Sequence, residues 1–145
     1  MLEELYNELI KDHGNHPRNC RLMDDATSRA PGHNRTCGDS LMLYLKVDDG
    51  IIRDVSFVGD GCQIFKASAS LMTDRLKGKS VAEAEALFNT FHEVLTSDVP
   101  IGAELGKLAA LGGVRNFPMR VKCATLAWHT MMNALNHDQE PASTE

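Results

Sequence analysis

Three cysteines and one aspartate are the residues of this chain whose types and spacing best fit a chemical role. Cys37 and Asp39 are two residues apart with a glycine between them, and Cys62 and Cys123 each stand beside a predicted helix. Three thiols and one carboxylate make a complete donor set for zinc, which binds thiolate sulfur at ~2.3 Å and carboxylate oxygen at ~2.0–2.2 Å, usually tetrahedrally. Because a carboxylate is a weaker ligand for zinc than a fourth thiolate, the set predicts a zinc site with one exchangeable coordination position.

The surroundings of these thiols predict pKa values that favour thiolate. Cys62 and Cys123 are expected at helix starts, where free N–H groups and positive potential stabilise a negative charge. Lys122 should act on Cys123 in the same direction. A single isolated cysteine is more often an inert buried residue. That interpretation is less convincing for three cysteines in turn-like settings beside glycine and aspartate.

The remaining cysteine and the histidines are weaker candidates for the site. Cys20 lies in a predicted loop without such neighbours and is interpreted as an incidental thiol. His33 is the strongest histidine rival because it lies four residues before Cys37, but it ranks below Asp39. The other histidines considered are interpreted as structural or surface residues: His13, His92, His129 and His137.

Length and composition restrict the class of protein. A chain of 145 residues forms one domain with a single core. A net charge of -5 argues against nucleic acid as a partner. The sequence lacks an apolar run of about 18 residues, so no membrane span is expected, and its acidic amphipathic start does not resemble a signal peptide. We therefore expect a cytoplasmic protein whose four cysteines serve as metal ligands or reactive thiols rather than disulfides.

The first half of the chain predicts one helix and a small sheet. Apolar residues recur at helical spacing over residues 2–14. Asp49 and Gly50 provide a two-residue hairpin turn. The predicted strands are an edge strand over residues 24–30 and the two strands of the hairpin, 41–47 and 51–58.

The second half predicts helices. One should run from Gln63 to a glycine stop at Gly78, and Ser80 with Glu83 forms a capping box for the next. A short helix over residues 103–111 and a last helix starting between residues 118 and 123 follow. The sequence therefore predicts an α+β fold, with an antiparallel sheet of about three strands covered by helices. Residues 1–137 should form the domain and residues 138–145 a disordered tail.

Several of these motifs, taken in order, resemble the U-type iron–sulfur assembly proteins, namely IscU, the NifU N-terminal domain and especially SufU. The matching stretches are Leu5-Tyr6, Asp12-His13 through Pro17-Arg18-Asn19, Thr36-Cys37-Gly38-Asp39, Gly61-Cys62, Ala67-Ser68-Ala69-Ser70, Lys77-Gly78-Lys79 and Lys122-Cys123-Ala124. They extend from the first predicted helix to the last. The same resemblance implies a SufE/NifU-like fold with a three-stranded sheet.

Three features favour the SufU branch of this family. Scaffold-type IscU proteins carry a histidine immediately before the third cysteine, where this chain has Lys122. They also carry a Leu-Pro-Pro-Val-Lys segment that recruits an Hsp70-type chaperone, and residues 116–122 keep only fragments of it. The stretch over residues 96–116 is similar to an insertion of SufU-type chains.

The resemblance implies a zinc-dependent sulfurtransferase. Such a protein accepts persulfide sulfur from a SufS-type cysteine desulfurase and passes it to a downstream iron–sulfur assembly complex. The implied metal ligands are Cys37, Asp39, Cys62 and Cys123, with Cys37 as the sulfur acceptor. Cys37 also lies in a predicted loop next to Gly38, where it can move at lower cost than the helix cysteines.

Other functions remain open at this stage. The four ligands could instead hold a [2Fe–2S] cluster on a scaffold, with the aspartate making that cluster labile. A structural zinc adaptor is less consistent with Asp39, because structural sites usually use cysteine and histidine. A thiol–disulfide oxidoreductase is disfavoured because the chain has no C-x-x-C motif.

Overall fold

The computed structural model describes residues 2–138 and 140–144. Its elements are, in chain order, α1 (Leu2–Asn15), β1 (Ser28–Asn34), β2 (Asp39–Asp48), β3 (Ile51–Asp60), α2 (Gln63–Leu76), α3 (Val81–Thr96), a 3₁₀ segment (Ala103–Asn116), α4 (Pro118–Leu135) and β4 (Ala142–Ser143). The α+β prediction is confirmed, because the strands form one sheet and the helices pack against it.

The sheet has four strands in the order β3-β2-β1-β4, rather than about three. β2 pairs antiparallel with both β1 and β3, whereas β4 pairs parallel with β1. A strand of two residues is too short to show the alternation of apolar and polar residues that indicates a strand, so the sequence could not predict β4. It lies within the segment predicted to be disordered, where Ala142 is buried and the Thr144 hydroxyl donates to the Lys122 carbonyl at 3.0 Å.

The first strand lies further along the chain than predicted. The sequence suggested residues 24–30, but β1 spans Ser28–Asn34 and includes Pro31 and Gly32. These two residues are poor strand formers, so pairing with β2 and packing against α4 decide the position. A Cβ atom at Gly32 would collide with the Thr130 hydroxyl on α4, so glycine permits this close approach.

Local signals elsewhere predicted the elements well. Asp49 and Gly50 have φ values of 52° and 72°, as a type I′ turn between β2 and β3 requires. Ser80 and Glu83 form the reciprocal hydrogen bonds of the capping box, both at 3.0 Å. α4 begins at Pro118, because proline is favoured in a first helical turn, where its missing N–H has no cost.

The hydrophobic core fixes α2 and α4 against each other. Trp128 on α4 stacks on Phe91 with ring centroids 4.5 Å apart. Its indole N–H donates to the Ser68 hydroxyl on α2 at 3.1 Å, and that hydroxyl donates to the Ala124 carbonyl at 2.5 Å. Because Cys62 stands at the start of α2 and Cys123 lies on α4, these bonds also fix the relative positions of two candidate ligands.

The segment that follows α3 is longer than expected. A helix over residues 103–111 was predicted, but the 3₁₀ segment continues to Asn116 and is interrupted at Gly106, where φ is 53°. Arg75 on α2 donates to the Leu105 carbonyl at 2.8 Å and ties this segment to the domain. Within the described residues, no helix combines the length and apolar character needed to cross a membrane.

Candidate metal centre

Cys37 lies in the four-residue connection between β1 and β2. Asn34 and Asp39 pair at the base of this connection, and the Gly38 N–H donates to the Arg35 carbonyl at 3.3 Å. Gly38 has a φ of 73°, and a Cβ atom built there would touch nothing within 4 Å. Cys37 is half-buried, so its thiol stands on a tight turn that borders open space.

Cys62 is the N-cap residue of α2. Its sulfur accepts a hydrogen bond from the Phe65 backbone N–H at 3.4 Å, as the N-cap position predicts. Its own backbone N–H donates to the Asp39 Oδ1 atom at 2.8 Å. A Cβ atom at Gly61 would collide with the Asp39 carboxylate. Glycine at position 61 therefore allows Asp39 and Cys62 to approach each other.

Cys123 corrects one expectation from the sequence. It lies more than a turn inside α4, which begins at Pro118, and only 3% of it is exposed. It therefore gains little from the helix N-terminus, whose effect is confined to the first turn. Burial, followed by the neighbouring Cys37, Asp39 and Cys62, raises the pKa of the Cys123 thiol. The prediction of a lowered pKa is wrong for this thiol in the metal-free chain.

The fold brings the candidate ligands together. Ligand atoms of Cys37, Asp39 and Cys123 all lie within 4.8 Å of one another. The Cys62 sulfur is 4.0 Å from the Asp39 Oδ2 atom, next to the same carboxylate. This set of soft sulfur donors and one buried carboxylate fits a divalent cation such as zinc. A bound cation would lower the pKa of Cys123 instead, because coordination to a metal deprotonates a thiol.

The weaker candidates lie outside this group. His33 alternates with Asn34 along β1, so its side chain points to the opposite face of the sheet from Asn34. Cys20 is exposed and forms an isolated bridge with Phe57 on β3. His13 is buried and its Nδ1 atom lies 2.6 Å from the Ser70 hydroxyl, as expected for a structural histidine.

One buried polar residue next to the candidate ligands could not be identified from the sequence. Asn34 is fully buried at the end of β1 and lies directly opposite Asp39. Its only signal in the sequence is a position three residues before Cys37. Using that signal requires the correct span of β1, and the predicted strand ended at Ala30.

A separate groove is formed by residues other than the four candidate ligands. Its volume is about 940 Å³, and it is lined by α1, the start of α2, the 3₁₀ segment and the start of α4. Apolar residues such as Ile64 and Ile101 form much of its wall, and Lys11 and Arg120 add positive charge. None of the four candidate ligands lines this groove.

The fold and the cysteine–aspartate group together define a small α+β domain with a candidate metal centre between a hairpin and two helices. The chain belongs to the family described as the NifU-like N terminal domain, whose model matches residues 5–137.

Curated relatives carry two different names. The chain is 38% identical over 137 residues to the iron–sulfur cluster assembly scaffold protein IscU of Thermotoga maritima, covering 94% of this chain and 96% of the relative. It is 39% identical over 131 residues to the zinc-dependent sulfurtransferase SufU of Bacillus subtilis, covering 90% and 88%. Because the two identities differ so little, they do not decide between the two roles.

Solved structures show the same architecture. A putative iron–sulfur cluster assembly scaffold protein for the SUF system from Fervidobacterium islandicum AW-1 superposes with a TM-score of 0.84 at 32% identity, covering 92% of this chain and 98% of that one. The N-terminal part of a NifU-like protein from Brucella abortus has a TM-score of 0.82 at 21% identity, covering 94% and 96%, and supports the fold alone.

Proposed function

We propose that this chain acts in iron–sulfur cluster assembly as a zinc-dependent sulfur acceptor. In this proposal it takes persulfide sulfur from a SufS-type cysteine desulfurase and passes it to a downstream assembly complex. The observation that carries the proposal is the convergence of Cys37, Asp39 and Cys123 within 4.8 Å, with Cys62 against the same carboxylate. Zinc bound by these four residues would keep buried thiols ionised and fix their positions.

Differences in burial and anchoring favour Cys37 as the sulfur acceptor. The Cys123 thiol is enclosed in the core on α4. The Cys62 sulfur caps α2 through its bond from Phe65, so moving it would expose the end of that helix. Cys37 has neither constraint, because it lies on a turn with open space around Gly38. Its thiolate can therefore approach a partner protein at the lowest structural cost.

The proposed transfer is a thiol–persulfide exchange. The Cys37 thiolate attacks the outer sulfur of the desulfurase persulfide, and a bond forms between Cys37 Sγ and that sulfur. The bond between the transferred sulfur and the desulfurase cysteine breaks, and its electron pair leaves with the desulfurase thiolate. The negative charge given up by Cys37 thus appears on the desulfurase. The exchange has no net oxidation or reduction and needs no further reagent.

A scaffold for a [2Fe–2S] cluster is the second candidate function. It is supported by the name of the Thermotoga maritima relative and by the same four donors, which would then hold the cluster as cargo. Two observations count against this function. Iron–sulfur clusters mostly use four cysteine ligands, and this chain has Lys122 where scaffold-type IscU proteins have a histidine. Anaerobic reconstitution with iron and sulfide separates the two functions. A stoichiometric chromophore that displaces zinc and transfers intact to an apoprotein would favour the scaffold.

Locating the transferred sulfur tests the assignment of Cys37. The zinc-loaded protein is incubated with a cysteine desulfurase and cysteine, and alkylated peptides are analysed by mass spectrometry. We expect one additional sulfur on the peptide that contains Cys37. Cys20→Ser should accept sulfur like the wild type, because Cys20 lies outside the ligand group. Additional sulfur found mainly on Cys123 would refute the assignment, and sulfur on Cys20 would refute the proposed site.

A further inference from the structure

Asn34 has a fully buried side-chain amide at the end of β1. The residue is 0% exposed, and neither its Nδ2 nor its Oδ1 atom has a hydrogen-bond partner among the described residues. Burying an amide without a partner costs free energy, and such groups are rare in folded proteins. A buried amide of this kind therefore calls for an explanation in the chemistry around it.

The position of Asn34 connects it to the candidate metal centre. It pairs with Asp39 across the β1–β2 ladder, and residues directly opposite each other point their side chains to the same face. Ala30, Gly32 and Asn34 are the buried residues of β1. Gly32 packs against Thr130 of α4, the helix that carries Cys123. Asn34 is thus the next inward residue of β1 towards the hairpin that holds Cys37.

Hydrogen-bond donors around the ligand group would offset part of the negative charge that its donor atoms carry. Three thiolates and a carboxylate would carry more negative charge than a divalent cation neutralises. Among the described residues, the Cys62 N–H donates to Asp39 Oδ1 and the Phe65 N–H donates to the Cys62 sulfur. Atoms that bind a metal are commonly held by such outer hydrogen bonds. The Asn34 amide is a further donor, buried on the same face as Asp39.

We infer that Asn34 is a positioning residue for the metal centre. Its Nδ2 group donates a hydrogen bond to the ligand group when the cation is bound, and this bond fixes the base of the Cys37 hairpin. The inference rests on the metal site of the proposed function. It explains why an amide that costs stability in the metal-free chain is placed here, since its benefit arises only in the loaded protein.

The experiment compares Asn34→Leu with Ser56→Ala. Leucine has a similar branched shape but no donor, and Asn34→Ala is a second variant that avoids any crowding by the larger side chain. Ser56 is the matched control, because its hydroxyl is also buried without a partner among the described residues, at mid-strand on β3. Two quantities are measured for each full-length variant. They are the zinc affinity, by competition with a chromogenic chelator, and the urea midpoint of the metal-free protein.

The expected result is weaker zinc binding without a loss of metal-free stability. Both Asn34 variants should bind zinc roughly 10- to 100-fold more weakly, the range typical for loss of an outer-shell partner. The urea midpoint of metal-free Asn34→Leu should be unchanged or higher, because an unpaired buried amide has been removed. Ser56→Ala should keep the wild-type zinc affinity.

Two results would overturn the inference while leaving the proposed metal site intact. One is a wild-type zinc affinity in both Asn34 variants. The other is a parallel loss of zinc affinity and metal-free stability, which would indicate a merely structural role. Failure of the wild-type chain itself to bind zinc would refute the proposed metal site and this inference together.

Discussion

The backbone N–H of Cys62, the N-cap residue of α2, donates a hydrogen bond at 2.8 Å to the carboxylate of Asp39, the first residue of β2. The two residues are 23 positions apart in the chain. One oxygen of Asp39 is therefore held by the protein, while Oδ2 faces the Cys62 sulfur at 4.0 Å. A carboxylate held in this way can contribute one oxygen to a cation and still be a weaker ligand than a thiolate.

Replacing Asp39 tests whether this weaker ligand matters for sulfur acceptance. Asp39→Cys would complete a four-thiolate site, and we expect it to bind zinc at least as tightly as the wild type. A site that is harder to open should accept sulfur roughly tenfold more slowly or worse, equivalent to about 1.4 kcal/mol in the barrier. Chelator competition and a desulfurase assay measure the two properties. Asp24→Cys, which adds an exposed thiol elsewhere, is the control, and wild-type turnover in Asp39→Cys would contradict the prediction.

Elemental analysis of Cys62→Ala tests the ligand set. The wild-type protein should contain one zinc per chain, and the variant clearly less. The variant should also be less stable, because metal binding and folding are coupled and the cap of α2 is lost with the sulfur. Cys20→Ser should retain full zinc. An undiminished zinc content in Cys62→Ala would exclude Cys62 as a ligand.

His13 makes stability depend on pH in a defined direction. Its burial lowers the pKa of the imidazole below the ordinary value of 6.5, and the Arg18 guanidinium contributes. The unfolded chain therefore binds more protons than the folded chain below about pH 6.5, so stability falls as the pH drops from there towards the lowered pKa. His13→Gln should show a smaller loss of stability over this range. Urea unfolding of both proteins at several pH values is the measurement, and identical slopes would contradict the prediction.

Ser68 should stabilise the contact between α2 and α4. Ser68→Ala removes the acceptor of the Trp128 indole N–H and the donor to the Ala124 carbonyl. Leaving a buried donor unpaired costs about 1–3 kcal/mol, and we expect a loss of unfolding free energy in that range by urea denaturation. Ser97→Ala, at the exposed end of α3, should cost less. Equal stability of Ser68→Ala and the wild type would show that the two hydrogen bonds of Ser68 do not contribute to stability.

Strong local signals allowed much of the fold to be predicted from the sequence. Asp49 and Gly50 specify the hairpin turn through their φ values, and Ser80 with Glu83 specifies the start of α3. The β1 strand was misplaced because Pro31 and Gly32 have low strand propensity and are held by packing against α4. β4 is stabilised by its pairing with β1 and by its contacts with α4, which no local pattern reveals.

The candidate site could be predicted in composition but not in detail. Cysteine and aspartate next to glycine indicated the donor set, and the fold places those residues together. The depth of Cys123 depends on where α4 begins, and the sequence left that start open over six positions. Asn34 depends on the pairing of β1 with β2, so neither its burial nor its position opposite Asp39 was visible without the fold.

Stimulation of a cysteine desulfurase is the most direct test of zinc-dependent sulfur acceptance. A SufS-type desulfurase is given cysteine with the zinc-loaded protein, with the zinc-depleted protein, and with zinc-loaded Cys37→Ser, and alanine formation is measured. We predict that only the zinc-loaded wild-type protein raises the rate of alanine formation and becomes persulfidated. Equal stimulation by the zinc-depleted protein would contradict the role of zinc, and equal stimulation by Cys37→Ser would contradict the role of Cys37.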